Sequence, residues 1–383
     1  MTTEPEALLA RLVSYPTVSD QSLADLAAHL AERAEDAGFR VERFETAPGK
    51  HNVVASAGPE GTDGIALCGH MDVVPVEGQD WSQDPFTLTA RGGNLFGRGA
   101  CDMKGFIAAA TVAAGQLPVE KLRREVVLIW THDEEVGGMG SAALSGQLAG
   151  RRLPKATWIG EPTDFKIARF HPGHLAVKIV CHGRAAHSSR PELGHSAINL
   201  AGRVLVDLEQ MAGELAEETI QLSGQPPMYT RINAGCIHGG TAINIVPERC
   251  ELDIGLRAPP GVDTAKLLER LRERIAPIDA RARDDGGAVT VTALHELPPL
   301  LTEPGTPLEV LLRPHAIEET PGGMPFGTDG GNLTRLGCAP LIFGPGSIAV
   351  AHRPDEFISR DALRSAAEMI RTVCWKRCIE TGA

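Results

Sequence analysis

The sequence contains no long apolar run and no run of basic residues. A membrane-spanning helix needs about 18 or more consecutive apolar residues, and no stretch approaches that length. The 37 lysines and arginines are outnumbered by 49 aspartates and glutamates. The sequence therefore offers no basic cluster that would bind the phosphate backbone of a nucleic acid. The first residues also lack the basic and then apolar pattern of a signal peptide. We therefore expect a cytoplasmic protein that binds neither membranes nor nucleic acid.

Cysteine pairs and several catalytic signatures are missing as well. The eight cysteines are scattered without a C-x-x-C pair, which argues against a disulfide framework and against a thiolate zinc site. The sequence has no phosphate-binding G-x-x-x-x-G-K-[ST] loop, no G-x-S-x-G nucleophile turn and no H-E-x-x-H helix. The glycine-rich segment at 97–105 is not a dinucleotide fingerprint, because Asp102 stands where glycine or alanine is required.

The hydrophobic pattern changes along the 383 residues and predicts two domains. Up to residue 173, short apolar runs alternate with helical segments, which predicts an α/β layered sheet with central strands buried on both faces. Within 174–293, the runs Leu175–Cys181 and Cys250–Leu256 alternate apolar and polar residues, as strands with one exposed face do. From residue 294 the first pattern returns. We therefore predict a first domain formed by 1–173 and 294–383, with an α+β insert at 174–293.

Apolar periodicity also predicts the main helices. The predicted helical segments are 20–37, Gly105–Ala114, 195–216, 264–274, Pro307–His315 and Ala362–Val373.

Several loops beside predicted strand ends or helix starts carry histidines or carboxylates. His70 directly follows the apolar run Ile65–Cys68, and in an extended chain the Asp72 carboxylate would lie on the same side and fix the imidazole tautomer. The alternative is an ordinary polar loop. Asp102 stands at the start of the alanine-rich helix, where a helix cap is the simplest interpretation.

Two further apolar runs end in acidic residues. The run Val126–Trp130 leads into Asp133, Glu134 and Glu135, which repel one another unless solvent or a cation offsets their charge. Glu161 follows a short apolar strand in the same way. The alternative for the first group is a solvated acidic loop.

His352 lies in a turn-rich loop after a last apolar run, and alone it could be an ordinary surface histidine. Together the candidates come from five separate loops, which makes coincidence a poor explanation. Two histidines and three or four carboxylates, without thiolates, suit two divalent ions such as zinc, cobalt or manganese.

At these motifs the sequence resembles the metal-dependent aminoacylase and carboxypeptidase superfamily, which includes acetylornithine deacetylase, succinyl-diaminopimelate desuccinylase and glutamate carboxypeptidase. The resemblance runs from about residue 5 to residue 378. Four stretches look most like the acetylornithine deacetylases: Gly160–Thr163, Gly183–Ser189, Gly344–Ser347 and His352–Glu356.

The resemblance implies a role for each candidate residue. Asp102 would bridge two ions, with His70 and Glu161 on one ion and Glu135 and His352 on the other. Glu134 would be the general base.

The resemblance also assigns residues outside the metal ligands. Asp72 would orient His70 from behind. His187 and Asn244 would reach an active site, with His187 serving the partner subunit's site. Arg257 would meet a substrate carboxylate, although a surface salt bridge explains it equally well.

At the level of the whole chain, the resemblance implies a mixed-sheet catalytic domain of the zinc-exopeptidase type, with a lid and dimerisation domain at 174–293. The implied protein is a homodimer that needs zinc or cobalt. The implied reaction is hydrolysis of an N-acyl amino acid, foremost N-acetylornithine to ornithine and acetate in arginine biosynthesis. The alternatives are a desuccinylase, a short-peptide carboxypeptidase or dipeptidase, and a noncatalytic metal-binding protein.

Two segments depart from the acetylornithine deacetylase pattern. Gly327–Asn332 looks more like the carboxypeptidase and desuccinylase branches, and Pro172 stands in His171–His174 where a lysine would be typical. Both departures concern which acyl group and which amino acid the enzyme would accept.

Overall fold

The computed structural model describes residues 4–222, 224–317 and 322–380 and shows a mixed α/β fold. Within these residues the α-helices are α1 Glu4–Val13, α2 Ala24–Asp36, α3 Lys104–Gly115, α4 Met139–Gln147, α5 Ala197–Glu217, α6 Thr264–Asp284, α7 Pro307–Leu312, α8 Gly330–Thr334 and α9 Arg360–Cys378. None of the described helices is both long and apolar enough to cross a bilayer.

The strands, numbered in chain order, are β1 Arg40–Ala47, β2 Lys50–Ala57, β3 Ile65–His70, β4 Thr89–Arg91, β5 Asn94–Phe96, β6 Val126–Thr131, β7 Ala156–Ile159, β8 Ala168–His171, β9 Gly173–His182, β10 Ala186–His187, β11 Arg231–Gly239, β12 Ile245–Val246, β13 Arg249–Ala258, β14 Ala288–Leu297, β15 Leu300–Leu301, β16 Gly322–Gly323, β17 Ala339–Ile342 and β18 Phe357–Ser359. All eight cysteines are free thiols.

The described chain divides into two compact units. The first contains the residues up to Phe170 and those from Leu300 onward, except for three residues, and the second contains His171–Pro299 with Pro325–Gly327. The insert predicted at 174–293 falls inside the second unit. Its role as a lid and dimerisation domain stays a prediction.

The first unit is built on one large mixed sheet, in which the main path of strands runs β1-β2-β6-β3-β7-β17-β8-β15. The central strands β6, β3, β7 and β17 are parallel to their neighbours in this group, so their carboxyl ends meet at one edge. Alternate residues of β3 and β6 pack into two separate apolar clusters, one on each face of the sheet. The prediction of central strands covered on both faces is confirmed.

The helix α3 lies against this sheet and is buried along almost its whole length. Its alanines and glycine present little side-chain volume, so the helix packs closely on the sheet. The predicted helix Gly105–Ala114 is confirmed, with one further residue at each end.

The second unit has a four-stranded antiparallel sheet in the order β11-β13-β9-β14. The buried residues of β9 and β13 alternate with more exposed ones, and the buried ones join the apolar face of α5 and α6 in one core. The predicted one-sided strands are therefore confirmed. The helix α6 extends to Asp284 instead of ending near 274, and it continues through Pro277.

Candidate metal centre

Three of the predicted site segments lie at the carboxyl ends of adjacent parallel strands. β3 ends at His70, β6 leads into Glu134 and Glu135, and β7 leads into Glu161. In register, His70 lies opposite Thr131 of β6. The strand order therefore brings these side chains to one edge of the sheet, as the sequence predicts.

Close packing at the end of β7 requires glycine at position 160. A Cβ atom built on Gly160 would lie 1.9 Å from the Phe106 ring, which is far inside van der Waals contact. Just beyond the neighbouring strand β17, a Cβ on Gly344 would lie 2.4 Å from the main-chain oxygen of Glu161. The small residues on either side therefore allow the chain to place Glu161 where it is.

His70 is buried, with a side chain 1% exposed, and each of its ring nitrogens has a partner. Nδ1 lies 2.9 Å from the main-chain oxygen of Asp72, while Nε2 lies 3.1 Å from Oδ1 of Asp102. A carbonyl oxygen only accepts, so Nδ1 donates to it, and Nε2 is the nitrogen that can bind an ion in place of its own proton. Burial alone would lower the pKa of His70, but its hydrogen bond to Asp102 and the nearby carboxylates raise the pKa well above its usual value.

The prediction that the Asp72 carboxylate fixes the tautomer of His70 is wrong in its detail. The carboxylate stays 3.7 Å from Nδ1, beyond hydrogen-bonding distance. The main-chain carbonyl of Asp72 takes that place. The buried carboxylate instead accepts hydrogen bonds from the main-chain N–H groups of Glu134 and Glu135, at 3.1 and 3.3 Å, and from the Ser19 hydroxyl at 2.8 Å. Asp72 therefore positions the two glutamates.

Asp102 lies between the two histidines. Its Oδ1 is 3.1 Å from Nε2 of His70, and its Oδ2 is 3.2 Å from Nε2 of His352. The interpretation of Asp102 as a helix cap is wrong, because Met103 is the N-terminal cap residue of α3 and no side chain caps it. Burial raises the pKa of Asp102, but the two histidines outweigh this effect and lower it overall.

Glu135 completes the group of side chains around His352. Both of its carboxylate oxygens lie 3.1 Å from Nε2 of His352. Hydrogen bonds to Asp102 and Glu135 raise the pKa of His352 to about 10. One ligand atom from each of His70, Asp102 and Glu135 lies within 4.8 Å of the others.

Glu134 and Glu161 carry the least compensated negative charge of the site. Among the described residues, neither side chain accepts a hydrogen bond or forms an ion pair. Burial raises the pKa of both carboxyls well above the usual range, and their mutual repulsion adds to the shift of Glu134, as the charge of Asp102 does for Glu161. Such repulsion is relieved when a cation binds between the carboxylates.

The donor set of this centre fits divalent ions. Two imidazoles and four carboxylates converge without a thiolate, and the carboxylates outnumber the groups that can balance them. The side chains that offer ligand atoms to an ion are His70, Asp102, Glu134, Glu135, Glu161 and His352. The assignment of Glu134 as the base among them stays a prediction.

Three predicted residues lie in the second unit. His187, on β10, is exposed, and its Nδ1 accepts the main-chain N–H of Ser189 at 3.2 Å. β10 pairs with β12, and the main-chain oxygen of Asn244 accepts the N–H of Ser188 at 2.9 Å. The structure thus brings Asn244 beside His187. Arg257 lies apart from them on the larger sheet, opposite His174.

Two buried carboxylates near the metal centre were missed as functional candidates. Asp329, 2% exposed, accepts the Thr131 hydroxyl at 2.5 Å, and its charge raises the pKa of Glu134. Glu356, 1% exposed, accepts the main-chain N–H of Asp102 at 3.0 Å. Both stand in motifs that the sequence singles out, Gly327–Asn332 and His352–Glu356, and a carboxylate in each motif was the available signal.

Comparison with solved structures shows that this fold is shared along the whole chain. An M20 family metallo-carboxypeptidase from Sulfolobus solfataricus superposes with a TM-score of 0.78 at 19% sequence identity, covering 97% of this chain and 98% of that one. Human carnosine dipeptidase 1 gives 0.70 at 17% identity, covering 98% and 96%. A dinuclear metal-binding peptidase of the M20 family from Bacillus subtilis gives 0.65 at 17%, covering 97% and 96%.

The family follows from the sequence itself. The sequence model of peptidase family M20/M25/M40 matches residues 66–376, which is most of the chain and includes every predicted metal ligand. The protein therefore belongs to peptidase family M20/M25/M40.

Proposed function

We propose that this M20 family hydrolase holds two divalent ions, zinc or cobalt, and hydrolyses the amide bond of an N-acyl amino acid. The observation that carries the proposal is that Asp102 turns one carboxylate oxygen to each histidine. Asp102 would be shared between the ions. His70 and Glu161 would hold one ion, and Glu135 and His352 the other.

When bound, such ions lower the pKa of a coordinated water to about 7 and polarise the acyl carbonyl. Glu134 is the residue of this chain that accepts a proton from the attacking water and delivers it to the leaving amine. Its main chain is held by Asp72, which keeps the carboxylate in place. The cleaved bond is the amide C–N bond, and the products are a carboxylate and a free amine.

His187 supplies a hydrogen bond to the oxyanion that forms at the acyl carbon. Because its Nδ1 accepts the Ser189 N–H, Nε2 of this exposed residue is the ring nitrogen that can donate. Asn244 lies next to it and contributes to the same contact surface. Arg257 binds the substrate carboxylate.

The first substrate that we propose is N-acetylornithine, because four motifs resemble those of acetylornithine deacetylases. This substrate would place the enzyme in arginine biosynthesis. Gly327–Asn332 supports a second candidate, a desuccinylase or a peptidase for short peptides. The solved structures of similar fold include a carboxypeptidase and a dipeptidase.

A direct assay separates these candidates. The protein, loaded with zinc or with cobalt, is incubated with N-acetylornithine, N-succinyl-diaminopimelate and a set of dipeptides. We expect the highest kcat/KM for N-acetylornithine. Preference for a dipeptide or for the succinyl substrate would move the assignment to that branch, and no hydrolysis of any amide would favour a noncatalytic metal-binding protein.

Metal analysis tests the two-ion centre. We expect two ions per chain at full activity. Full activity with a single bound ion, after saturation with metal, would contradict the shared role of Asp102.

We also propose that the protein is a homodimer formed through the second unit. β11 is an edge strand of its sheet, exposed along nearly all of its nine residues. The isoleucines 237, 243 and 245 in this region are 54%, 102% and 41% exposed. Unpaired edges with exposed apolar residues favour pairing with a second chain. Sedimentation analysis with and without an Ile237→Glu substitution tests this dimer.

A further inference from the structure

A buried ion pair lies beside the loops that carry Asp102 and His352. Nη1 of Arg98 is 2.6 Å from Oε2 of Glu356, and both side chains are 1% exposed. The pair has no part in the proton transfers or in ligand binding described above. Its remaining contacts lead to the metal centre in two directions.

The first direction runs through the other oxygen of Glu356. Oε1 accepts the main-chain N–H groups of Cys101 and Asp102, at 2.9 and 3.0 Å. Two buried N–H groups would lose their partner without this carboxylate, and such groups are almost always satisfied in folded proteins. Glu356 therefore fixes the main chain from which the Asp102 carboxylate projects.

The second direction runs through Arg98 to His352. Nη2 of Arg98 donates to Oε1 of Gln79 at 2.5 Å, and the indole N–H of Trp81 donates to the same oxygen at 3.1 Å. These two donors identify which end of the amide is oxygen. The amide nitrogen of Gln79 then donates to the main-chain oxygen of His352 at 3.0 Å.

His352 needs such support from its surroundings. Its φ angle is +62°, in the left-handed region that a residue with a side chain rarely adopts. A conformation of this kind persists when neighbouring groups determine it. The bond from Gln79 fixes the carbonyl of this residue and so connects the His352 loop to Arg98.

Stability alone explains this arrangement poorly. Replacing a buried ion pair by apolar residues of similar volume is often neutral or stabilising, because taking two charges out of water costs more than their attraction returns. An apolar pair, however, could not accept the two N–H groups or hold Gln79. What the charged pair adds is a fixed position for two loops.

We propose that Glu356, Arg98 and Gln79 are positioning residues that set the separation of Asp102 and His352 before an ion binds. The assignment rests on the proposed function, in which these two residues are ligands. Preset ligands bind an ion without first having to be ordered. Partners behind metal ligands typically change metal affinity by about 10- to 100-fold when they are removed.

Gln79→Ala is the decisive variant, because Gln79 is only partly buried and its loss leaves the Arg98–Glu356 pair in place. Glu356→Gln is the second variant. Ser82→Ala is the matched control, since it removes a hydroxyl that bonds Asp355 between the same two loops without reaching a ligand. Cobalt(II) binding is titrated calorimetrically, the d–d absorption spectrum is recorded, and the Tm of the metal-free protein is measured.

For Gln79→Ala we expect one of the two cobalt-binding steps to weaken by about 10- to 100-fold, with an altered spectrum for that step. For Glu356→Gln we expect both steps to weaken, since Asp102 serves both ions. Ser82→Ala should match the wild type, and excess metal should restore the kcat of Gln79→Ala.

Unchanged cobalt affinities and spectra in both variants would overturn the assignment. A lower Tm of the metal-free variants with unchanged affinities would also overturn it, because the network would then be structural only. A wild-type protein that binds no ion would instead overturn the proposed function, and with it this assignment.

Discussion

The metal centre and the His187 region differ in how their side chains are held. Asp102 contacts two histidines that stand 32 and 250 positions away in the chain, and both contacts are made by its carboxylate. His187 is exposed, and among the described residues its side chain bonds to Ser189 alone, two residues away. A buried centre can be understood from the contacts within one chain. An exposed histidine gains a function only from the molecule that meets it.

The sharpest test of the buried region separates Glu134 from Glu135. Changing Glu134→Gln should lower kcat by about 10² to 10⁴, the usual contribution of a positioned general base, while two ions stay bound. Changing Glu135→Gln should reduce the bound metal, because Glu135 lies against His352. Enzyme assays and metal analysis on both purified variants measure this. Equal loss of metal in both would contradict the separation of base from ligand.

The corresponding test of the exposed region is His187→Ala. We expect kcat to fall by about 10² to 10³ with metal content unchanged, as when a single oxyanion donor is removed. Ser189→Ala is the control, since it keeps the imidazole and removes only the hydroxyl beside Nδ1.

The same variant shows whether His187 acts within its own chain. If it serves the partner's site, inactive His187→Ala and Glu134→Gln homodimers should recover activity after subunit exchange. At equal mixing about half of the dimers are mixed, each with one intact site of two, which gives roughly a quarter of wild-type activity. No recovery after exchange verified with tagged subunits would assign His187 to its own chain or to a structural role.

Replacing Arg257 should have a smaller effect, and on substrate binding instead of on the catalytic rate. Arg257→Ala should raise KM by about 10-fold and leave kcat nearly unchanged, because a contact made equally before and during reaction contributes to binding alone. Arg249→Ala is the matched control, being another exposed arginine on β13. A fall in kcat with unchanged KM would show that Arg257 acts on the reacting groups instead.

The smallest effect that we predict concerns the metal-free protein. The pKa of His352 is raised from 6.5 to about 10, so the stabilising proton is present below pH 6.5 and is lost as the pH rises through 10. The metal-free protein should therefore lose about 2 to 4 °C of Tm across this interval, a modest change because the imidazole is half exposed and screened by solvent. Calorimetry from pH 6 to pH 10 tests this, and His352→Gln should flatten the dependence.

Local sequence patterns were sufficient to predict the strands and helices whose burial follows directly from their residue types. The runs in β3 and β6 are apolar throughout and lie in the middle of the sheet, and α3 consists of small residues that pack closely. The helix α6 continues ten residues beyond its predicted end near 274, although Pro277 lies inside it and a proline usually ends a helix. The apolar stripe continues beyond Pro277 to Ala282, which is buried, so tertiary packing outweighs the local preference.

The ligand set could be inferred from residue types near strand ends, but the contacts between those residues could not. The interpretation of Asp102 as a helix cap uses only neighbouring residues, whereas its carboxylate contacts His70 and His352 from distant loops. The Asp72 carboxylate is held by the main-chain N–H groups of Glu134 and Glu135, 62 and 63 positions further along the chain, and a local pattern does not show such contacts. Asp329 and Glu356 accept hydrogen bonds from Thr131 and Asp102, and sequence spacing carries no information on such pairs.

The collision of any side chain at Gly160 with Phe106 has a practical consequence for engineering. A mutant library aimed at the candidate metal centre would naturally include the residues around Glu161. Position 160 should be left out, since even alanine there would push the aromatic ring or displace the following carboxylate. A double library that also replaces Phe106 by a smaller residue would make room for a side chain at position 160. Truncating a buried phenylalanine leaves a void that lowers the stability of the fold by about 3–5 kcal/mol.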